Sequence, residues 1–213
     1  MIIRLILLLA AVSVNVTAMA AVNPSSVKLR IFHAYVSENG DCSSPITLVT
    51  AADQTNGDEF DMVQGPTMGE GFLPPKKFKC FIMDMSDQVV VSPATSECNC
   101  VAGQSFTIDV CRPASGQPVQ NPFTGVTSNC TSGRDRVYVY VSTDSGDTGA
   151  SGSANSFRPP GSAGDMTRGI KLQNEIDGTA KGGAFIFNAN NKVQDEGSSC
   201  GMAPPLFGFR VTD

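Results

Sequence analysis

Hydrophobic and polar residues alternate along much of the chain with a period of two. Successive side chains of a strand point to opposite faces of a sheet, so this pattern predicts strands. β-branched and aromatic residues fill these runs, as they do in pleated, half-buried segments. No long series of apolar residues has the spacing of three and four that a helix needs. A short helical turn near 165–176 is the one helical element considered. The predicted strands lie at 27–35, 47–50, 78–91, 106–110, 137–141, 170–172, 184–187 and 207–211.

Two of these runs carry extra information. Within 27–35, strict alternation places His33 and Tyr35 on the inward face of the predicted strand. The run 78–91 begins apolar on both faces, which is typical of a strand that is covered on both sides. Polar residues at 84–87 then interrupt it, and we predict a turn or bulge there.

Gly, Pro, Ser and Asn separate the runs. Seven to nine short strands between turn-rich loops predict an all-β fold, an antiparallel β-sandwich. A Gly- and Ser-rich segment at 142–164 is the longest predicted loop, and loops of this length are usually functional or mobile. We therefore predict a single sandwich domain over residues 21–213, with this loop exposed on it.

The first twenty residues have the parts of a secretory signal. Arg4 is a positive charge, residues 5–14 are apolar, and Ala18-Met19-Ala20 supplies small residues before a cleavage point. The apolar run is shorter than the roughly 20 residues that span a bilayer. We predict cleavage after Ala20 and an exported protein, extracellular, on the cell surface or in the periplasm of a bacterium, with no integral membrane segment afterwards. The alternative is an N-terminal membrane anchor.

Seven cysteines in an exported chain predict disulfide bonds. Because seven is odd, at least one thiol stays free or pairs with another chain. We favour a bond between the first two cysteines, Cys42 and Cys80, and a second from either member of the Cys-Asn-Cys pair to one of the next two in the chain. The candidates are Cys42, Cys80, Cys98, Cys100, Cys111, Cys130 and Cys200.

Carboxylates are concentrated in the run 53–61, and Ca²⁺ prefers such oxygen ligands in flexible loops. Asp53, Asp58 and Asp61 are the calcium candidates. The spacing is not that of an EF-hand, because Thr55 and Gly57 stand where ligands would be needed. We predict a solvated acidic loop, and a protein without metal or cofactor.

The ligand candidates lie on the strand predicted at 137–141. Tyr138 and Tyr140 share a face with Arg136, and the valines between them form the core face. Aromatic side chains on a sheet can stack on sugar rings or anchor a protein partner. The alternative is that the tyrosines pack beneath the segment 142–164.

A family resemblance rests on the order of several motifs. Phe72-Leu73-Pro74-Pro75 leads into a buried strand, and Gly169-Ile170-Lys171-Leu172 is followed by Phe185-Ile186-Phe187. This order resembles bacterial exported β-sandwich domains of unknown function, with a transthyretin-like or carboxypeptidase-regulatory-like arrangement, over residues 27–190. The resemblance implies a sandwich and no catalytic residues.

Charge and histidine content narrow the function. The formal net charge of −5 argues against nucleic acid, whose phosphates require a basic face. Any Ser-His-Asp or Cys-His arrangement must use His33, the single histidine, which we predict to be structural rather than catalytic. We expect a non-catalytic module that binds a glycan or protein through its loops. The alternative is an assembly subunit, whose copies are linked by an edge strand or form a covalent homodimer through the odd cysteine. A hydrolase is the third hypothesis.

Overall fold

The computed structural model describes residues 21–65, 73–110, 119–120, 127–128, 134–145, 170–180 and 182–212. The predictions on the signal at 1–20, on Cys111 and Cys130, and on most of the 142–164 segment lie outside these residues. The described chain contains one 3-10 turn, Met62–Gln64, and sixteen strands. The strands are β1 Pro24–Ser37, β2 Ile46–Thr50, β3 Asp58–Asp61, β4 Lys77–Phe78, β5 Cys80–Ser86, β6 Gln88–Pro93, β7 Phe106–Asp109, β8 Val119–Gln120, β9 Thr127–Ser128, β10 Arg136–Ser142, β11 Ile170–Lys171, β12 Ile176–Asp177, β13 Gly182–Asn188, β14 Val193–Asp195, β15 Cys200–Met202 and β16 Leu206–Thr212.

The prediction of an all-β, antiparallel, disulfide-bonded fold is confirmed. Every strand pair is antiparallel except β10 with β11, and no α-helix occurs in the described ranges. The strands outnumber the seven to nine predicted, because seven of them are only two or three residues long and too short to show alternation. In place of the helical turn considered near 165–176, the described part of that stretch forms β11 and the start of β12.

The main sheet is organised around one long antiparallel pairing. β1 pairs with β5 from Ser37 opposite Cys80 to Ile31 opposite Met85, and then with β6 as far as Pro24 opposite Pro93. β5 and β6 are thus two parts of one strand. The other edge of β1 carries β2 and β3, and the far edges of β5 and β6 carry β10 and β7.

A β-bulge in β1 changes which residues face the core. The pairing with β5 shifts register between Ile31 and His33, and an extra residue in a strand reverses the alternation that follows it. Ala34 and Val36 consequently join the core, whereas Tyr35 belongs to a separate cluster on the opposite, outer face. The prediction that His33 and Tyr35 lie on the inward face is therefore wrong.

A second layer covers the inner face of the main sheet. Phe185 of the two-stranded β13–β16 sheet lies 4.3 Å, ring to ring, from Phe81 of β5. The main sheet curls toward this second sheet through β11 on its edge, since Leu172 forms a parallel bridge with Phe207 of β16. The core joins the two layers, and its largest fully buried apolar members are Phe78, Phe81, Ile31, Met83, Leu172, Ile176, Val27, Val36 and Val91.

Two disulfides join described residues of this framework. The predicted Cys42–Cys80 bond is confirmed, and it fastens the β1–β2 loop to the start of β5. Cys100 is bonded to Cys200, and Cys98 has an exposed, free thiol. The predicted bond from Cys98 or Cys100 to Cys111 or Cys130 is therefore wrong.

Asp87 occupies the interruption between β5 and β6, where a turn or bulge was predicted. Its N–H donates to the carbonyl of Asp135, its Oδ1 accepts the N–H of Asp135, and its carbonyl accepts the N–H of Val110. The residue is fully buried. Burial raises the pKa of Asp87 to about 7, and the nearby carboxylates of Asp109 and Asp135 add to the increase. A buried carboxyl group thus ties the end of β7 to the start of β10.

We expect Asp87→Asn to change how stability depends on pH. The folded state keeps a proton on Asp87 that the unfolded chain releases above about pH 4, so stability falls as pH rises from about 4 to 7 and the loss is complete above 7. Asparagine can still accept the Asp135 N–H and carries no charge. The free energy of unfolding at pH 8 should rise by on the order of 2 kcal/mol, with little change at pH 4.

Urea unfolding at both pH values measures this effect. Asp144→Asn, an exposed carboxylate, is the control and should leave the pH dependence unchanged. An identical pH dependence in wild type and Asp87→Asn would show that Asp87 is not protonated in the folded state.

Candidate functional site

The ligand candidates of β10 lie on the outer face of the main sheet, opposite the core. Tyr138 pairs with Asp84 of β5, which in turn pairs with His33 of β1. Arg136 is two residues before Tyr138 and on the same face. We call His33, Asp84, Arg136 and Tyr138 the outer-face patch.

Asp84 is the centre of the patch and is fully buried. Its Oδ1 accepts from Nε of Arg136 at 2.6 Å, and its Oδ2 accepts from Nη2 at 2.5 Å. Nδ1 of His33 lies 2.9 Å from the same Oδ2. The two-pronged contact is the strong geometry of an arginine–carboxylate pair, and it raises the pKa of the Arg136 guanidinium further above its usual value. The buried carboxylate therefore fixes two side chains that reach the surface.

The tautomer of His33 follows from its neighbours. Nδ1 faces the carboxylate of Asp84, and a lone pair on Nδ1 would repel Oδ2. We therefore assign the imidazole proton to Nδ1, although Nη2 of Arg136 is also 3.0 Å away. Nε2, on the opposite side of the ring, is then an acceptor. His33 is 22% exposed and Arg136 is 43% exposed, so both are accessible from solvent.

Aromatic rings support both polar side chains. The guanidinium carbon of Arg136 lies 4.3 Å from the ring centroid of Phe32, within cation–π range. His33 stacks on Tyr35 with ring centroids 5.6 Å apart and planes inclined by 21°. Phe32 faces outward by the regular alternation of β1, and the bulge turns His33 outward beside it. The bulge thus places the histidine next to the ring under the arginine.

Tyr140 does not belong to the accessible site. It is fully buried in the outer-face cluster with Tyr35, Ile82 and the Cys42–Cys80 disulfide, and burial raises the pKa of its phenol. The β1–β2 loop is held over this part of the sheet, where Ser142 Oγ donates to the Gly40 carbonyl. The accessible face predicted for Tyr140 is therefore wrong, because its side chain is buried, whereas Arg136 is exposed and Tyr138 is half-buried.

Sequence reasoning missed Asp84 and the location of His33. A signal for Asp84 is present, because an acidic residue in a strand that is apolar on both faces needs a partner. The sequence does not identify Arg136 as the partner of Asp84, because 52 positions separate the two residues in the chain.

The carboxylates of the acidic run have structural roles. Residues 58–61 form β3, paired with β1, so only the first part of the run is the solvated loop that was predicted. Asp53 accepts backbone N–H groups of its own turn, Asp58 accepts two from residues 52–53, and Asp61 accepts from Val27 and Val63. Within the described ranges, no group of three or more His, Cys, Asp or Glu side chains is placed to hold a metal ion. That the protein works without a metal or cofactor stays a prediction.

Comparison with known proteins gives no relative. No protein family, no curated protein and no solved structure matches the chain. The resemblance to exported transthyretin-like or carboxypeptidase-regulatory-like domains therefore stays a prediction. No helix in the described part of the chain is long and apolar enough to cross a membrane.

We expect Arg136→Met to destabilise the protein by about 3–5 kcal/mol, because it leaves the buried Asp84 carboxylate without two of its three donors. Arg30→Met is the matched control. Arg30 pairs with Glu59 at 2.9 Å on the surface, where such a pair contributes about 0–1 kcal/mol. Urea unfolding at neutral pH measures both. Equal losses in the two variants would mean that Asp84 does not depend on Arg136.

Proposed function

We propose that this chain is an exported, non-catalytic binding module that recognises a glycan at the outer-face patch. The observation that carries the proposal is the fully buried Asp84, which holds Arg136 and His33 by three short contacts. Burying a carboxylate is unfavourable unless it is paired, and functional sites are the places where side chains are fixed in this way. The pairing leaves polar atoms of both residues at the surface.

The chemistry of the patch suits sugar hydroxyl groups, which both donate and accept hydrogen bonds. Nη1 of Arg136 is a donor that Asp84 does not use, and Nε2 of His33 is an acceptor. Tyr138 supplies a half-buried ring directly beside them, and aromatic rings can pack against the face of a sugar.

Export is supported by the disulfides. Cys42 and Cys80 are fully buried as a bonded pair, which is the use of cysteine that oxidising compartments favour. The predicted signal at 1–20 agrees with this destination.

The way in which Asp84 divides its contacts between Arg136 and His33 favours binding over catalysis. In a catalytic histidine–carboxylate pair the carboxylate orients the imidazole. Here two of the three contacts of Asp84 are to Arg136, so the carboxylate mainly holds a guanidinium. A hydrolase would be indicated if His33→Ala abolished a measured hydrolysis while leaving the fold intact.

The test is glycan binding by variants that keep the fold. In His33→Asn, the side-chain amide N–H can replace Nδ1 as the donor to Asp84. The substitution also removes the acceptor Nε2. We expect the wild-type protein to bind some of the glycans on an oligosaccharide array. His33→Asn and Tyr138→Ala should each weaken the affinity for the tightest-binding glycan at least tenfold, as measured by calorimetry.

Lys76→Ala is the control, because Lys76 is exposed and its ion pair among the described residues is with Glu38, which is also exposed and lies outside the outer-face patch. It should bind like wild type. An array without any bound glycan, or undiminished binding by His33→Asn, would contradict the proposal. Binding of a protein partner through the same residues would keep the patch and change the class of ligand.

A second candidate function is favoured by Cys98. Its thiol is exposed and unbonded, so two copies could join through it in an oxidising compartment. Partial desolvation and the carboxylates of Glu97 and Asp195 raise the pKa of this thiol, which reduces the reactive thiolate at neutral pH. As an assembly subunit, the exported protein should be a covalent dimer in non-reducing mass measurement, and Cys98→Ser should be a monomer. A monomer with Cys98 free to alkylation would leave the binding module as the better account.

A further inference from the structure

A cavity of about 80 Å³ lies between the two layers, on the opposite side of the main sheet from the outer-face patch. Met83, Met85 and Val139 contribute to its wall from the main sheet. Met202 and the following Ala203 and Pro204 contribute from the connection between β15 and β16. The space is partly open to solvent, and the described residues that line it are mostly apolar.

Among the described residues of the wall, Asp109 is the one that carries a charge, and its carboxyl group points away from the space. Asp109 pairs with Gln88, while its neighbour Ile108 pairs with the inward-facing Val89. Alternation places the Asp109 carboxyl group on the outer side of the sheet, where it approaches Asp87. Only the backbone of Asp109 therefore borders the space.

Backbone donors are also scarce on the opposite wall. Pro204 and Pro205 have no N–H group, and the N–H of Ala203 donates to the carbonyl of Lys192 at 2.7 Å. The described lining therefore offers few hydrogen-bond donors to water or to a polar ligand, which favours an apolar occupant.

We infer that this cavity is a second binding site, which takes a small uncharged apolar molecule. Charge complementarity limits the ligand to this class, because a charged group would be desolvated there without a partner. The volume limits it to a few heavy atoms, since apolar cavities of about 150 Å³ accept one benzene ring in other proteins. Three methionines in the wall can change rotamer around ligands of somewhat different shape, which allows a space of about 80 Å³ to expand.

Benzene is the probe, and methionine methyl groups are the reporters. In the mature protein with ¹³C-methyl methionine, benzene should shift the resonances of Met83, Met85 and Met202 along one saturable curve. Met62 is the internal control, because it is buried in the same core and does not line the cavity. Its resonance should not move along that curve.

Ala203→Leu should fill the cavity and weaken benzene binding at least tenfold. His33→Asn should leave it unchanged, because that variant alters only the outer-face patch. Shifts that do not saturate, equal shifts at Met62, or undiminished binding by Ala203→Leu would overturn the inference. Should Ala203→Leu fail to fold, the comparison between Met62 and the three lining methionines in the wild-type protein decides the question.

Discussion

The full-length pairing of β1 with β5 and β6 is the constraint on which the rest of the structure depends. It forms the spine of the main sheet. β2, β3, β7 and β10 are added to its two edges, and β11 is added to β10. Two interruptions lie inside the pairing, at 31–33 in β1 and at Asp87 between β5 and β6, and a further register shift lies at its end, between Pro24 and Ser26. Because strands alternate strictly, each interruption decides which side chains leave the core, and both candidate polar centres lie at these points.

The two interruptions handle a buried carboxylate in opposite ways. At the first, both oxygens of the buried Asp84 are paired with a guanidinium and an imidazole. At the second, Asp87 has other carboxylates for neighbours, and a proton replaces the missing cation. The first arrangement fixes two side chains that reach the surface, whereas the second joins β7 and β10 most firmly below neutral pH.

Much of the fold could be predicted from alternation alone, and the failures have local causes. The core face of β10 and both buried faces of β5 follow from their valines, methionines and phenylalanines. The outward position of His33 could not be predicted, because a single extra residue at Phe32 leaves the sequence pattern of 27–35 looking regular. Tyr140 was expected on the surface or beneath the segment 142–164. The loop that covers it could not be identified from the sequence, because it is a distant loop that the Cys42–Cys80 bond holds in place. Cys200 gives no sign of its partner, since 100 residues separate it from Cys100.

The central claim is that the bulge in β1 turns His33 outward onto Asp84, and the imidazole itself reports on this most directly. The chain has one histidine, so a long-range ¹H–¹⁵N spectrum of the ring has a single, unambiguous set of signals. The account predicts the neutral Nδ1–H tautomer above pH 8, with a slowly exchanging Nδ1 proton that is lost or shifted in Asp84→Asn. The Nε2–H tautomer, or a freely exchanging ring that does not respond to Asp84→Asn, would contradict it.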